Sequence, residues 1–134
     1  MEFQINYLAV VVAAVINMGL GFMWYGPLFG KSWMKMVGLS KEDVKNTSMV
    51  QPMIIGFASA LVMAYVLNNF VRMDGGGTAM AGAMVGFWIW LGFLATSFVS
   101  VVIWERKSWN LYALNSGYYL VLLLINGAML AVWR

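Results

Sequence analysis

The 134-residue chain contains no cysteine and no histidine. The first absence rules out disulfides, thiolate metal sites and cysteine nucleophiles, and it leaves the redox compartment unreadable. The second removes the commonest metal ligand and the usual general base near neutral pH, so neither a Ser-His-Asp triad nor a histidine zinc site can be assembled. Charge is scarce as well. Only 10% of residues are charged, where ordinary soluble domains carry about a quarter. Proline occurs twice. What remains is apolar, at 63% of the chain. A soluble domain of this length has too little interior for that much apolar surface, whereas a bilayer removes the need to hide it. The net charge of +3 comes largely from lysines in one stretch, a pattern that orients a chain in a membrane rather than binding nucleic acid.

The few charges divide the chain into uncharged runs over 3–30, 46–71, 75–104 and 108–133. Each exceeds the roughly 20 residues a helix needs to cross the hydrocarbon core, and none is long enough to cross twice. No run alternates with period two, so a closed barrel is excluded in favour of helices. Spans are expected at 5–25, 52–71, 79–104 and 111–133, giving one all-α domain: an antiparallel four-transmembrane-helix bundle with a longer amphipathic, interfacial loop between helices 1 and 2. The first span lacks a basic leading segment and a small-residue cleavage site, so it reads as retained rather than as a signal peptide.

Punctuation supports these boundaries. Gly26-Pro27 is expected to end the first span. Ser40 followed by Asp43 has the spacing of a capping box, opening a short polar helix at about 40–50. Pro52 falls in the first turn of the second span, where proline is tolerated. Asp74-Gly75-Gly76-Gly77 makes a tight turn. Of eight basic residues, Lys31, Lys35, Lys41, Lys45, Arg106 and Lys107 fall on one side of the membrane, and Arg72 and Arg134 on the other. The excess of positive charge predicts that the loops between helices 1 and 2 and between helices 3 and 4 are cytoplasmic and both termini lie outside.

The pattern resembles a bacterial inner-membrane family known as domain of unknown function 1761. The residues that carry the resemblance are Ile5-Asn6-Tyr7, the loop motif Trp24-Tyr25-Gly26-Pro27-Leu28-Phe29-Gly30-Lys31 with Trp33-Met34, Leu91-Gly92-Phe93 with Thr96, Glu105, and Asn115-Ser116-Gly117-Tyr118. It covers essentially the whole chain. It implies a small four-helix inner-membrane protein and brings no catalytic residue, binding residue or cofactor with it.

Function has to be sought in the residues themselves. At about 100° per residue, Asn17 shares a face of the first span with Asn6, Ala13, Gly21 and Trp24. Ala79, Gly82, Gly86, Phe93, Thr96, Ser97 and Ser100 share a face of the third span, and Tyr112, Asn115, Tyr119, Asn126 and Trp133 share one of the fourth. Small residues four apart let helix backbones approach, and amides and hydroxyls bond between helices, so these stripes read first as bundle interior. The alternative is that Asn17, Ser100, Asn115, Tyr119 and Asn126 line a path for a small polar solute or dehydrated ion, within one chain or at an oligomer axis. The aromatic-basic stretch of Trp24, Tyr25, Phe29, Lys31, Trp33 and Lys35 reads as an interfacial lipid contact, rings at headgroup depth and lysines toward phosphates. Glu105 reads first as solvated and paired with a neighbouring or loop lysine, and otherwise as a partner across the bundle for Lys31 or Lys35 or the mark of a cation entrance. The scattered methionines read as flexible core filler rather than as a copper site. No activated nucleophile or acid pair is visible, so an enzyme is not expected, nor a metal or cofactor. Two functions remain: a homo-oligomeric channel or transporter-like unit, or an accessory protein that binds lipid or a larger membrane partner through the aromatic loop.

Overall fold

The computed structural model describes residues 5–46 and 48–133. Arg134, one of the basic residues weighed for orientation, and Thr47, inside the helix expected at about 40–50, lie outside the described residues. The described chain is all-helical: α1 (Tyr7–Met23) continuing into a π-helical turn (Trp24–Leu28), α2 (Gly30–Val37), α3 (Lys41–Lys45), α4 (Val50–Asp74), α5 (Ala79–Ile89), a second π-helical turn (Trp90–Ala95), α6 (Val99–Ile103) and α7 (Trp109–Val132). Four continuous helical stretches, Tyr7–Leu28, Val50–Asp74, Ala79–Ile103 and Trp109–Val132, are long and apolar enough to cross a membrane.

Local chemistry sets most boundaries. Asn6 is not part of the first helix's polar face; its Oδ1 caps the helix by accepting from Ala9 N at 3.1 Å. Thr78 and Ser108 cap α5 and α7 in the same way, accepting from Ala81 N and Leu111 N, each at 3.1 Å. These side chains satisfy amide donors that a helix start leaves without internal partners. At α3 the Asp43 amide donates to Ser40 Oγ at 3.1 Å and the Ser40 amide donates to Asp43 Oδ2 at 2.9 Å, the reciprocal arrangement of a capping box. The helix itself stops at Lys45, shorter than the expected 40–50. Gly38 and Gly75 end α2 and α4 with φ of 76° and 75°, a left-handed conformation that costs other residues a clash at Cβ.

Two boundaries differ from expectation. Gly26-Pro27 does not stop the first span. Proline has no N–H for a regular bond, and the helix widens around it, so that Phe29 N reaches back five residues to Trp24 O at 2.9 Å. Gly30 then begins α2 so close behind that a Cβ there would lie 2.8 Å from Tyr25 O. The stretch read as an interfacial loop is therefore a helix, with Lys31 and Lys35 exposed and Trp33 half-buried. Two residues along a helix turn the side chain by about 200°, which puts Trp33 opposite both lysines.

The closest packing in the described structure joins α5 to α7. A Cβ on Gly82 would stand 2.0 Å from Gly127 O, one on Gly86 would stand 2.2 Å from Leu123 O, and one on Gly127 would stand 2.3 Å from Gly82 O. Numbers rise along one helix as they fall along the other, so this pair runs in opposite directions. Around it, Ala9, Val10 and Ala13 of α1, Ala64, Leu67 and Val71 of α4, and Leu123, Leu130 and Ala131 of α7 form a buried core. Small side chains on three helices are what such close approach requires when lipid supplies no hydrophobic drive. The outer surface is correspondingly apolar, with Ile54, Ile55, Val62, Met80, Trp88 and Phe93 among its exposed side chains.

The third span corrects one expectation directly. Gly82 and Gly86 are buried, but Phe93, Thr96, Ser97 and Ser100 are exposed. The π-helical turn at Trp90–Ala95, which contains Phe93, lies between the two glycines and the three hydroxyls. A π turn inserts about one extra residue, which rotates everything beyond it by roughly 100°. The stripe drawn with an uninterrupted helical period therefore breaks. The three hydroxyls bond within their own span: Thr96 Oγ1 donates to Gly92 O at 2.8 Å, Ser100 Oγ to Ser97 O at 2.8 Å, and Ser97 Oγ to Phe93 O.

Candidate functional site

Aromatic side chains knit the lysine-bearing end of the molecule together. Trp24 Nε1 donates to Leu114 O at 3.1 Å, and the Tyr25 hydroxyl donates to Asn115 Oδ1 at 2.6 Å. Trp90 Nε1 donates to Ser116 O at 2.7 Å, and the Tyr112 hydroxyl donates to Ala95 O at 2.7 Å. The Tyr118 hydroxyl lies 2.8 Å from Asn17 O and 2.5 Å from Asn17 Oδ1. These bonds tie the first and third spans to one short stretch of α7. Both π-helical turns take part, the first through Trp24 and Tyr25, the second through Trp90 and the carbonyl of Ala95. Helix widening of this kind turns a side chain or a carbonyl toward a neighbour that a regular helix would miss.

Between these elements lies a cleft of about 480 Å³ lined by Tyr25, Trp33, Phe98, Asn115 and Tyr119. The volume is within the range of small-molecule sites. Tyr25 meets Trp33 edge-to-face at 5.5 Å between ring centroids, Tyr119 meets Phe98 at 5.6 Å, and Tyr118 meets Tyr119 edge-to-face at 5.0 Å. Contacts of this geometry hold rings more firmly than area burial alone. Among the described residues no charged side chain lines the cleft. Lys31 and Lys35 sit on the far side of α2. Among the described residues no group of three His, Cys, Asp or Glu side chains comes together to hold a metal. At the nearby capping box, the Ser40 amide and hydroxyl hold the Asp43 carboxyl below the usual carboxylate range.

The structure divides the residues singled out in the sequence. Tyr25, Trp33, Asn115 and Tyr119 converge on the cleft, with Trp24 and Asn17 bonded beside it. Phe29 is exposed and its ring lies 4.8 Å from that of Trp24. Gly82 and Gly86 belong to the α5–α7 contact. Asn126, buried, donates from Nδ2 to Ala13 O at 3.2 Å, while its Oδ1 finds no partner among the described residues. Thr96, Ser97 and Ser100 face outward. Glu105 is exposed and, among the described residues, forms no ion pair with Lys31, Lys35 or any other group. It sits just past the end of α6, where water solvates it more cheaply than a fixed partner holds it.

Tyr118, Phe98, Trp90 and Gly127 take part in this architecture but were not on the stripes drawn from the sequence, whereas Tyr112, drawn with Asn115, bonds to Ala95 O. Gly127 and Ala131, four apart, carry a small-residue signal equal to that of Gly82 and Gly86. Tyr118 stands inside the Asn115-Ser116-Gly117-Tyr118 motif. Phe98 had no comparable signal, because its position depends on the rotation introduced at Trp90–Ala95.

No curated protein and no solved structure matches this chain. A family model described as a protein of unknown function, DUF1761, matches residues 8–131, spanning all four long helices and every side chain of the cleft. The chain belongs to the DUF1761 family of proteins of unknown function.

Proposed function

We propose that this protein is a non-enzymatic membrane protein that binds a lipid or lipid-like partner through the aromatic face at its lysine-bearing end. In this reading it is an antiparallel four-helix bundle in a bacterial inner membrane, both termini outside, with α2 lying along the cytoplasmic headgroup layer. One observation carries the reading: Tyr25, Trp33, Phe98, Asn115 and Tyr119, drawn from α2 and from the first, third and fourth long stretches, line a single cleft. The aromatic walls with a few polar groups match what amphiphile sites require. Lys31 and Lys35, directed away from the cleft, are placed to meet anionic headgroups while the rings bury.

The test is photo-crosslinking with a diazirine-bearing phospholipid in liposomes, followed by peptide mapping. Adducts are expected to concentrate on 30–37 and on peptides containing Phe98 and Tyr119. An even spread over the apolar surface would refute the reading. A second reading, a homo-oligomeric channel or transporter-like unit, draws support from the exposed hydroxyls of Thr96, Ser97 and Ser100, which would be better placed at an oligomer axis than against lipid. Its test is disulfide crosslinking of Ser100→Cys, together with solute flux in liposomes. Monomeric protein without flux counts against it.

A further inference from the structure

We propose that the cleft recognises an uncharged carbonyl group on an apolar body, held by hydrogen bonds from Asn115 Nδ2 and the Tyr119 hydroxyl; the inference rests on the lipid-binding reading above and names its chemistry. The Asn115 carboxamide is polarised by its neighbour. Its Oδ1 accepts from the Tyr25 hydroxyl at 2.6 Å, so the acceptor end is occupied and the amide N–H groups are left over. Among the described residues neither Asn115 Nδ2 nor the Tyr119 hydroxyl has a hydrogen-bond partner, although both side chains line the cleft. An amide nitrogen only donates, and a phenol donates readily. The site therefore asks for an acceptor.

Its charge narrows the class further. A cation would find aromatic faces but no carboxylate, and it would meet the outward N–H groups. An anion would find donors but no cationic side chain inside the cleft, with both α2 lysines on the opposite side of their helix. A neutral carbonyl oxygen meets donors without the cost of burying a charge, and the rings of Tyr25, Trp33, Phe98 and Tyr119 cover the apolar body that carries it. Two membrane compounds have this chemistry: the ring carbonyl of an isoprenoid quinone and the ester carbonyl of a glycerolipid.

The experiment uses the full chain in detergent micelles and three probes of equal tail length: a decyl-benzoquinone, a short-chain diacyl phosphatidylglycerol, and decylbenzene, which lacks a carbonyl. Quinone binding is read as quenching of tryptophan fluorescence, with Trp33→Phe isolating the signal at the cleft, and the other probes are read by competition. The expected result is saturable quenching that depends on Trp33, with decylbenzene competing at least about tenfold more weakly, the difference of one hydrogen bond to a neutral group. Competition by the phosphatidylglycerol assigns the ester carbonyl; its failure to compete assigns the quinone ring. Tyr119→Phe, which keeps the ring, should weaken carbonyl probes about tenfold and leave decylbenzene unchanged. Asn115→Asp keeps the acceptor for Tyr25 and removes the donor, and should do the same. Equal affinity for all three probes, or carbonyl binding unaltered in both variants, overturns the carbonyl inference and leaves the lipid-binding reading standing. Absence of saturable binding by any probe overturns the inference, and joined to an even crosslinking pattern it overturns the underlying reading too.

Discussion

Replacing Gly82 with alanine adds one methyl group at the tightest contact in the described structure. The new Cβ would be placed 2.0 Å from Gly127 O and 2.6 Å from Ala131 Cβ. A carbon and a carbonyl oxygen settle no closer than roughly 3.3 Å, so α5 and α7 must part by about 1.3 Å locally. The obstructing atom is backbone, which cannot turn aside as a side-chain tip would. A gap of about 1 Å forfeits a quarter to a half of the dispersion energy of each contact it opens, and the interface also holds Gly86 against Leu123. The cost should be near the upper end of the overpacking range, about 3 kcal/mol. Gly19 and Gly92 are the controls, because nothing lies within 4 Å of a Cβ at either position; alanine there should be neutral, or stabilising by up to about 1 kcal/mol through helix propensity. Thermal unfolding in a mild detergent, followed by circular dichroism, separates the cases. A Gly82→Ala variant that unfolds with Gly19→Ala and Gly92→Ala would show that the two helices do not meet as described.

Tyr118→Phe removes the hydroxyl bonded to Asn17 and should lower stability by about 1 kcal/mol, in the range of hydrogen bonds between membrane helices; Tyr7→Phe, on an exposed side chain, should not, in the same unfolding assay. Pro27→Ala restores an N–H and lets the first span close into a regular helix. The rotation should pull Tyr25 away from Asn115 and reduce lipid crosslinking at Trp33 at least severalfold. Asp43 is held below its ordinary value of 3.8 by the Ser40 bonds. A carboxyl depressed in the folded state contributes stability above its unfolded value and loses it as pH falls through the folded value. Protection of the Ser40 amide, relative to a free amide at the same pH, should therefore hold at neutral pH and fall only below the ordinary carboxylate range, while Asp43→Ala, which removes its acceptor, should lack that protection throughout. Cysteine at Glu105, exposed and unpaired, should react quickly with a water-soluble maleimide, and cysteine at Trp33 slowly.

How far the sequence reaches is clearest from particular residues. The four spans were legible because hydrocarbon tolerates almost no charge, and the thirteen charged residues leave only four long gaps. Caps were legible for the same kind of local reason: Ser40 and Asp43 need only each other. Gly82 and Gly86 declared a close contact through spacing, though not the partner; that Gly127 and Leu123 receive them follows from how two helices settle in three dimensions.

The composition by itself determined that this is a helical membrane protein without cysteine or histidine chemistry, because solvent preference acts residue by residue and sums along the chain. Only the tertiary structure decided which polar groups face one another. The π-helical turns at Trp24–Leu28 and Trp90–Ala95 break the angular period on which face assignment depends, turning Thr96, Ser97 and Ser100 outward and Phe98 toward Tyr119. The cleft around Asn115 exists because elements remote in sequence converge on it, and no local pattern records a meeting set by how the first, third and fourth long helices pack with α2.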